Sequence, residues 1–481
     1  MEYINDLLTS ENASFRCMMV PGKGRTLHMS KDVKSCNILF QGPLLHKVAE
    51  NLRHPIYVEI TRLFYFDATE SLDYSPMWYW CALNSLAFKI SDQLPTISEE
   101  QAKRLKMLYH PEILSPSPTI RRVVSAISHL LDHELAEREL IELERMTIIW
   151  TLNCFEHADD PLTYASFFLP SFMSHSCAPT AMWTTIGDTF FIRSQRPMME
   201  GDELTVSYLS EEFGLRPISK RKAHLLSTKF FNCDCPRCTS CVDDTRGFAL
   251  PDRLGLPDTC FVRFPQFYSC ACGCARPIDL KDSDRDHLID LETMVVDQVT
   301  TYDGAEEEDE DIIPTRTNPE LIGTDEAALD LEDYICELGL FHWASVRGLM
   351  QLAEYYKHNA QYPKAIALTK LRIEGKRKYV NLCPSETSSS LAWALEELGD
   401  LIMLHVSGAV VAGLSEEARE RFADSWKPKS DDDLETLKFS GAIEAYTGAT
   451  QILIDVFGEE HEHTRTASLK LHRVSSLISS F

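Results

Sequence analysis

Three cysteines lie within six residues of this 481-residue chain, at Cys233, Cys235 and Cys238. Asp, Pro and Arg stand between them, so this segment has no evident role in an apolar core. A tetrahedral zinc ion needs four nitrogen or sulfur ligands at about 2.0–2.3 Å, and short spacing lets one turn supply several of them. The pattern predicts a structural zinc site whose fourth ligand comes from elsewhere in the chain. The alternative is a set of thiols that binds no metal.

The cysteines of the whole chain are unevenly placed, because eight of the 15 fall between Cys233 and Cys274. A second zinc site is one interpretation of the later group, and solvent-exposed loop thiols are the alternative. This group consists of Cys241, Cys260, Cys270, Cys272 and Cys274. The N-terminal residues lack the apolar stretch of a secretory signal, so we expect a cytoplasmic or nuclear protein. In a reducing compartment, clustered thiols favour metal binding over disulfides.

The net charge of −26 arises from 47 basic and 73 acidic residues and limits the partners we expect. An acidic surface repels nucleic-acid phosphates, so no direct nucleic-acid binding is expected, whereas basic proteins would be attracted. Solubility alone is the alternative reason for this charge. No segment reaches the roughly 20 apolar residues that span a bilayer, so no membrane partner is expected. The content of hydrophobic residues, 44%, is typical of globular domains.

The length of the chain predicts about two to four domains. Residues 14–48 have the pattern of short strands, with a turn at Pro21–Gly24 and a strand at Val33–Phe40. Residues 49–150 have a mostly helical pattern, and the clearest helix is predicted over Thr119–Trp150.

Residues 164–209 return to strand character, within a segment that we delimit at 151–209, and strands are predicted at Asp188–Ile192 and Glu203–Tyr208. Residues 210–280 are predicted to be rich in loops, and they hold the cysteine cluster.

Six consecutive acids, Glu306–Asp311, predict an exposed acidic linker, which we place at residues 281–324. Residues 325–481 have helical periodicity throughout. This periodicity suggests a C-terminal domain of antiparallel helix pairs of the tetratricopeptide type.

Several segments resemble motifs of one known family. Ser171–Thr180 is similar to the Asn-His-Ser-Cys-x-Pro-Asn motif of SET domains, and Glu200–Tyr208 is similar to their Gly-Glu-Glu-Leu/Ile-Thr-x-x-Tyr motif. Phe231–Cys238 resembles the post-SET Cys-x-Cys-x-x-Cys. Gly22–Gly24 looks like the N-terminal Gly-x-Gly turn, and Asn153–Phe155 looks like an Asn-x-Phe segment. Their order and spacing resemble the SET-and-MYND family of protein-lysine methyltransferases.

The resemblance implies an α+β fold, in which a small-stranded SET β-fold is interrupted by a helical insertion. A zinc-bound post-SET loop and an all-helical C-terminal domain would follow. It implies a monomeric protein-lysine N-methyltransferase that takes its methyl group from S-adenosylmethionine. The expected partner is a protein with an exposed lysine, and a basic histone tail is one candidate. The alternative is an inactive SET-fold scaffold that binds partners through its C-terminal helices.

The resemblance also implies roles for individual residues. Tyr208 would be catalytic and would orient the amine and the sulfonium; a core tyrosine is the alternative. The cofactor would be bound by Pro21, Gly22, Lys23, Asn153, Ser174, His175, Tyr208 and Phe231. Plain turn, helix-cap and core-packing roles are the alternatives for these residues. Cys177 would join Cys233, Cys235 and Cys238 on one zinc ion.

This chain departs from the family pattern in three places. Residues 49–150 contain Cys81 as their only cysteine, so the MYND zinc finger is absent. Ser174 and Thr180 stand where the motif has asparagines. Serine is shorter and has no amide, so the hydrogen bonding of the cofactor at this point would be weaker or rerouted. These departures bear on activity rather than on the fold.

Overall fold

The structure is a computed structural model of the chain, and it forms two compact units. The first unit comprises Met1–His175, Thr180–Val206 and Thr228–Phe230, and the second comprises Ser176–Pro179, Ser207–Ser227 and Phe231–Phe481. The structure describes residues 1–66, 72–157, 160–240, 242–250, 259–263, 266–268, 277–301, 322, 324–382, 389–412 and 433–479.

The first unit begins with a helix and four short strands, and the strands lie where the sequence predicts strand character. These elements are α1 (Glu2–Ser10), β1 (Phe15–Val20), β2 (Gly24–Met29), β3 (Ile38–Pro43) and β4 (His46–Ala49). β1 and β2 pair antiparallel. The strand predicted at Val33–Phe40 is wrong at its start, because Val33 makes only an isolated bridge with Met198. Cys36 has a left-handed φ of 63°, which interrupts the extended chain before β3.

Helices dominate the next part of the first unit, as the sequence predicts. They are α2 (Pro55–Phe66), α3 (Pro76–Leu83), α4 (Glu99–Lys106), α5 (Pro118–Ile127) and α6 (Glu137–Asn153). The single helix predicted over Thr119–Trp150 is wrong, because the chain leaves α-helical geometry at a 3₁₀ turn, Ser128–Leu130. Beyond this turn the N–H of Asp132 donates to the carbonyl of Ile90 at 2.9 Å, so a tertiary hydrogen bond replaces the helical one.

Small sheets complete the first unit. Their strands are β5 (Phe155–His157), β6 (Asp160–Ser166), β7 (Ser174–His175), β8 (Ala181–Ile186), β9 (Thr189–Ser194) and β10 (Thr205–Val206). The strand orders are β3-β9-β8 and β4-β6-β5, both antiparallel, while β7 and β10 pair parallel. The strand predicted at Glu203–Tyr208 is thus only two residues long, because its partner β7 is equally short. Fully buried Trp150, Phe167 and Phe190 lie in the core of this unit.

Residues 210–280 were predicted to be rich in loops, but in the structure they form several short helices and a sheet. The helices of the second unit in this range are α7 (Glu211–Gly214), α8 (Ile218–Lys229, through Ser227 in this unit) and α9 (Pro236–Thr239). The strands β11 (Asp243–Ala249), β12 (Thr259–Arg263), β13 (Gln266–Tyr268) and β14 (Pro277–Ile278) form an antiparallel sheet. Phe248, Val262 and Phe267 of this sheet are buried, and this burial outweighs the local loop-forming sequence.

Helices form the rest of the second unit. They are α10 (Asp282–Thr301), α11 (Asp325–Leu338), α12 (Trp343–His358), α13 (Tyr362–Leu382), α14 (Ser389–Ala412), α15 (Asp433–Phe457) and α16 (Glu462–Ser479). α10 corrects the prediction of a linker over all of 281–324, because its buried Leu288, Leu291 and Val295 hold it against the core. Glu306–Asp311 lies outside the described residues. Each helix from α12 to α16 packs on the next.

Within the described residues, no helix combines the length and the apolar composition that a membrane crossing requires.

A buried polar trio joins three elements of the second unit: Arg246 of β11, Glu292 of α10 and His342 before α12. His342 is fully buried, and its Nδ1 accepts a hydrogen bond from the N–H of Ala344 at 3.2 Å. The ring must therefore carry its hydrogen on Nε2, which lies 3.0 Å from Oε1 of Glu292. Arg246 donates to the same carboxylate from Nε at 2.7 Å.

Candidate functional site

Four cysteine sulfurs of the second unit lie within 4.8 Å of one another, and all four residues are buried. They belong to Cys177, Cys233, Cys235 and Cys238, and none of these four forms a disulfide. We call them the four-cysteine site. The sulfurs of Cys177 and Cys238 are 3.5 Å apart. At a Zn–S distance of about 2.3 Å, tetrahedral geometry puts the sulfurs about 3.8 Å apart, so this donor set fits zinc. The structure thus brings together the four ligands that the resemblance implied.

A tight turn presents the post-SET cysteines. Pro236 begins α9 directly after Cys235, and the N–H groups of Cys238 and Thr239 each donate to the Cys235 carbonyl at 3.0 Å. The N–H of Cys177 donates to the Cys235 sulfur at 3.4 Å. Hydrogen bonds with the other three thiols lower the pKa of Cys235, whereas the pKa values of Cys177 and Cys233 are raised. Without a metal, these contacts therefore favour a thiolate, the form that binds zinc, at Cys235 but not at Cys177 or Cys233.

Arg237 of the second unit is only 7% exposed, and its hydrogen bonds hold the chain around the four-cysteine site in place. Its Nη1 donates to the Cys177 carbonyl at 2.8 Å. Its Nε and Nη2 donate to the two carboxylate oxygens of Asp244, at 2.7 and 3.2 Å. This arginine therefore ties two stretches of chain that are 60 residues apart. Sequence reasoning assigned Arg237 no role, because an arginine between cysteines has no distinctive pattern.

A second zinc site stays a prediction. Cys241, Cys270, Cys272 and Cys274 lie outside the described residues. Cys260 is fully buried on β12 in an apolar cluster with Phe248 and Phe267, and burial raises its pKa to about 12. A thiol in such surroundings is a poor metal ligand. Its placement favours a packing role.

Tyr208 and Phe231 also belong to the second unit. Their ring centroids are 6.3 Å apart, and the rings are perpendicular, in an edge-to-face contact. Tyr208 is 41% exposed, which argues against the alternative of a core tyrosine. Phe231 is partly buried and packs against the four-cysteine site. Both remain proposed cofactor residues.

In the first unit, the hairpin between β1 and β2 holds the predicted Gly-x-Gly turn. Pro21, Gly22, Lys23 and Gly24 are exposed; we call these residues the glycine hairpin. Gly22 and Gly24 both have φ of +79°, a conformation that L side chains rarely adopt, and added Cβ atoms would meet nothing within 4 Å. The backbone here is therefore open to a ligand. Lys23 Nζ lies 2.8 Å from Oε2 of Glu203.

Ser174 and His175 form β7 of the first unit, where both are partly buried. Glu203 lies beside them: burial alone would raise its pKa, but hydrogen bonds with Lys23 and Ser174 lower it. Its other oxygen, Oε1, is buried and has no hydrogen-bond partner among the described residues. An unsatisfied buried carboxylate oxygen is a ready acceptor for a cationic group. Glu203 lies in the Glu200–Tyr208 motif, but the resemblance to SET domains implies no role for it.

Asn153 ends α6 and is 8% exposed. Its side-chain amide donates to the carbonyls of Tyr109 and Ile149, both at 2.9 Å. Both amide hydrogens are thus used within the first unit, and only Oδ1 could accept from a cofactor. This geometry resembles the alternative of a helix-terminal cap.

Thr180 shows how the second motif substitution is accommodated within the first unit. Its Oγ1 donates to the Glu203 carbonyl at 3.1 Å and accepts from the Thr205 N–H at 2.9 Å. Thr180 is buried and its hydroxyl makes both of these hydrogen bonds, so a threonine is accommodated at this position without an amide.

Comparison with known proteins identifies the class first. A family model described as the SET domain matches residues 2–209. Residues 2–209, less than half of the chain, are thus similar to a SET domain, which is the kind of domain that the motifs indicated.

Individual relatives show how much of the chain this similarity covers. A SET and MYND domain-containing protein of Dictyostelium discoideum is 35% identical over 92 residues, which cover 19% of this chain and 21% of that protein. The N-lysine methyltransferase SMYD2-A of Danio rerio is 27% identical over 137 residues, which cover 28% of this chain and 31% of that protein. This chain thus matches less than a third of the length of either relative. A solved SET domain of LSMT, bound to lysine and AdoHcy, is 11% identical with a TM-score of 0.28 and coverage of 99% and 92%. That likeness is too weak to support an argument.

Proposed function

We propose that the protein transfers a methyl group from S-adenosylmethionine to a lysine side chain of another protein. The observation that carries this proposal is the SET domain over residues 2–209, with the motif tyrosine Tyr208 retained and partly exposed. The names of the SMYD2 relatives agree with this activity. A protein with an exposed lysine is the proposed substrate, and a basic histone tail would suit the net charge of −26. We place this activity in a monomer in the cytoplasm or nucleus.

The chemistry requires a neutral amine. The lysine ammonium has an ordinary pKa of about 10.4, so it must lose a proton to solvent before its nitrogen can attack. Bound S-adenosylmethionine supplies a methyl group on a positive sulfur. This methyl group would pass to the lone pair of the neutral amine, and S-adenosylhomocysteine would be the second product. Tyr208 is proposed to orient the amine for an in-line approach at about 3–3.5 Å.

The cofactor residues are proposed to act in three ways. The glycine hairpin and His175 would contact the cofactor through backbone groups, for which the positive φ of Gly22 is suited. Phe231 would stack on the adenine. Glu203 Oε1 would accept from the cofactor's α-ammonium, which supplies the polar contact that Ser174 lacks as a replacement for asparagine.

We propose one structural zinc on the four-cysteine site, which is closed because all four ligands come from the protein. The zinc would fix the segment that carries Phe231, and its loss is expected to weaken both folding and cofactor binding.

Incubation of the zinc-loaded protein with radiolabelled S-adenosylmethionine and basic proteins tests the activity. The expected result is label on lysine, found by mass spectrometry. Tyr208→Phe should lower the rate about 100-fold, because a positioned hydroxyl contributes on that scale. It should leave cofactor affinity nearly unchanged. Transfer at the wild-type rate by this variant would remove Tyr208 from the mechanism.

The second candidate is a SET-fold scaffold without activity, and the internal hydrogen bonds of Asn153 favour it. Calorimetry separates the two proposals. Zinc-loaded protein that binds no S-adenosylmethionine, and labels no basic protein, would establish the scaffold and contradict the enzyme.

A further inference from the structure

A second arginine of the second unit, Arg221 on α8, is fully buried. One of its nitrogens, Nη1, donates to the carbonyl of Arg216 at 2.5 Å. The other two, Nε and Nη2, are buried and make no hydrogen bond to any described residue. A guanidinium keeps its charge in proteins, so this is a buried cation with two unsatisfied donors.

The nearby carboxylates, Asp243 and Asp244, act on Arg221 through their charge but make no hydrogen bond to it. Asp244 is engaged by Arg237 through both oxygens. Asp243 accepts from the N–H of Ile218 at 2.7 Å and from the hydroxyl of Thr245 at 2.7 Å. An unpaired buried charge is costly, and proteins retain one where another charge compensates it.

The four-cysteine site lies on the side of α8 that Arg221 faces. Leu225, one helical turn after Arg221, is fully buried in the same cluster as Cys177 and Cys233. Charge interactions agree with this placement: burial and Arg237 lower the pKa of Arg221, but Asp244, Cys177 and Asp243 raise it, and the net result is a raised pKa. Cys177 is thus within electrostatic reach.

Zinc would add a counter-charge beside this arginine. Four thiolates on one Zn²⁺ carry a net formal charge of two negative. We infer that Arg221 is a positioning residue of the zinc site, because its buried charge balances part of the negative charge of the metal-bound thiolates. Arg237 is hydrogen-bonded to Asp244, whereas Arg221 makes no hydrogen bond to a carboxylate. This inference rests on the proposed zinc.

The test is the rate at which the full-length, zinc-loaded protein loses its metal to excess EDTA, followed by atomic emission of the desalted protein. Groups that orient metal ligands typically change metal affinity 10–100-fold, so Arg221→Gln should lose zinc at least about tenfold faster than wild type. Arg221→Lys keeps the charge but not the forked donors, and its rate should fall between the two. Lys220→Gln removes an exposed charge from the same helix and should match wild type.

Thermal unfolding with and without the chelator separates this role from packing. A metal-linked arginine lowers the melting temperature of Arg221→Gln mainly when zinc is bound, whereas a packing role lowers it equally in both forms. Equal losses, or zinc release at the wild-type rate, overturn the inference. If Arg221→Gln does not fold, the release rate of Arg221→Lys decides, because a rate equal to wild type contradicts it. Wild-type protein that holds no zinc refutes the zinc proposal itself.

Discussion

The glycine hairpin of the first unit and the four-cysteine site of the second unit are built in opposite ways. The hairpin is exposed, and its shape depends on the backbone angles of Gly22 and Gly24. The cysteine site is buried, and its chemistry depends on side chains, four sulfurs and an arginine brace. We therefore expect the hairpin to tolerate changes of side chain at Pro21 and Lys23 but not at its two glycines, while the cysteine site should tolerate almost no change.

The largest effect is expected from Cys177→Ser. A hydroxyl is a far poorer zinc ligand than a thiolate, and structural zinc contributes about 10–16 kcal/mol of binding free energy in small zinc-binding peptides. We expect loss of stoichiometric zinc and a large drop in thermal stability, measured by metal analysis and calorimetry. Cys36→Ser is the matched control, because Cys36 is an exposed thiol of the first unit.

Two outcomes would change this half of the comparison. If Cys177→Ser held zinc as tightly as wild type, the site would not need its fourth sulfur. Cys260→Ala tests the predicted second zinc site. The zinc content of the protein should stay unchanged if Cys260 only packs in the core, whereas loss of one zinc ion would establish the second site.

The next largest effect is expected at a buried site that does not depend on a metal, the trio of Arg246, Glu292 and His342. Burial alone would raise the pKa of Glu292, but hydrogen bonds with His342 and Arg246 lower it to about 2. Because this pKa lies below the unfolded value of about 4.3, the carboxylate stabilises the fold above that value, by roughly 3 kcal/mol. That contribution should fade as the pH falls from about 5 towards 2.

Glu292→Gln should therefore cost roughly 3 kcal/mol in urea unfolding at pH 7, and clearly less at pH 3. Glu337→Gln is the matched control, since Glu337 pairs with His287 at 2.7 Å with both side chains more than half exposed. Exposed pairs contribute about 0–1 kcal/mol. Equal costs for the two variants at pH 7 would show that burial does not set the strength of these pairs.

The smallest effect is expected in the glycine hairpin. Lys23→Met removes the ion pair with Glu203, in which the lysine side chain is 41% exposed. The free energy of unfolding should change by less than about 1 kcal/mol. Cofactor affinity by calorimetry should change less than about threefold, because the proposed contacts come from the backbone. A tenfold loss of affinity would mean that this side chain contacts the cofactor directly.

Sequence reasoning succeeded where a residue type has one chemical use. Cysteines at fixed spacing predicted three members of the four-cysteine site, the motif that contains Cys177 predicted the distant one, and the four sulfurs do lie together. Sequence reasoning failed where burial in the tertiary structure determines the conformation or environment of a residue. The acid run Glu306–Asp311 led to the prediction of a linker over 281–324, although Leu288, Leu291, Val295 and Val299 of α10 already followed helical spacing. Arg221 lies between Lys220 and Lys222 in a run that resembles a solvated basic patch, and only tertiary packing shows that it is buried.

The chain path around Cys177 has a practical consequence for dissecting the protein. Ser176–Pro179 belongs to the second unit, although the residues on both sides of it belong to the first. The SET-domain match ends at residue 209, ahead of three of the four sulfurs. A fragment cut at that limit would carry Cys177 alone and could not assemble a tetrahedral ligand set. Recombinant pieces intended for metal or ligand studies should therefore extend beyond Cys238.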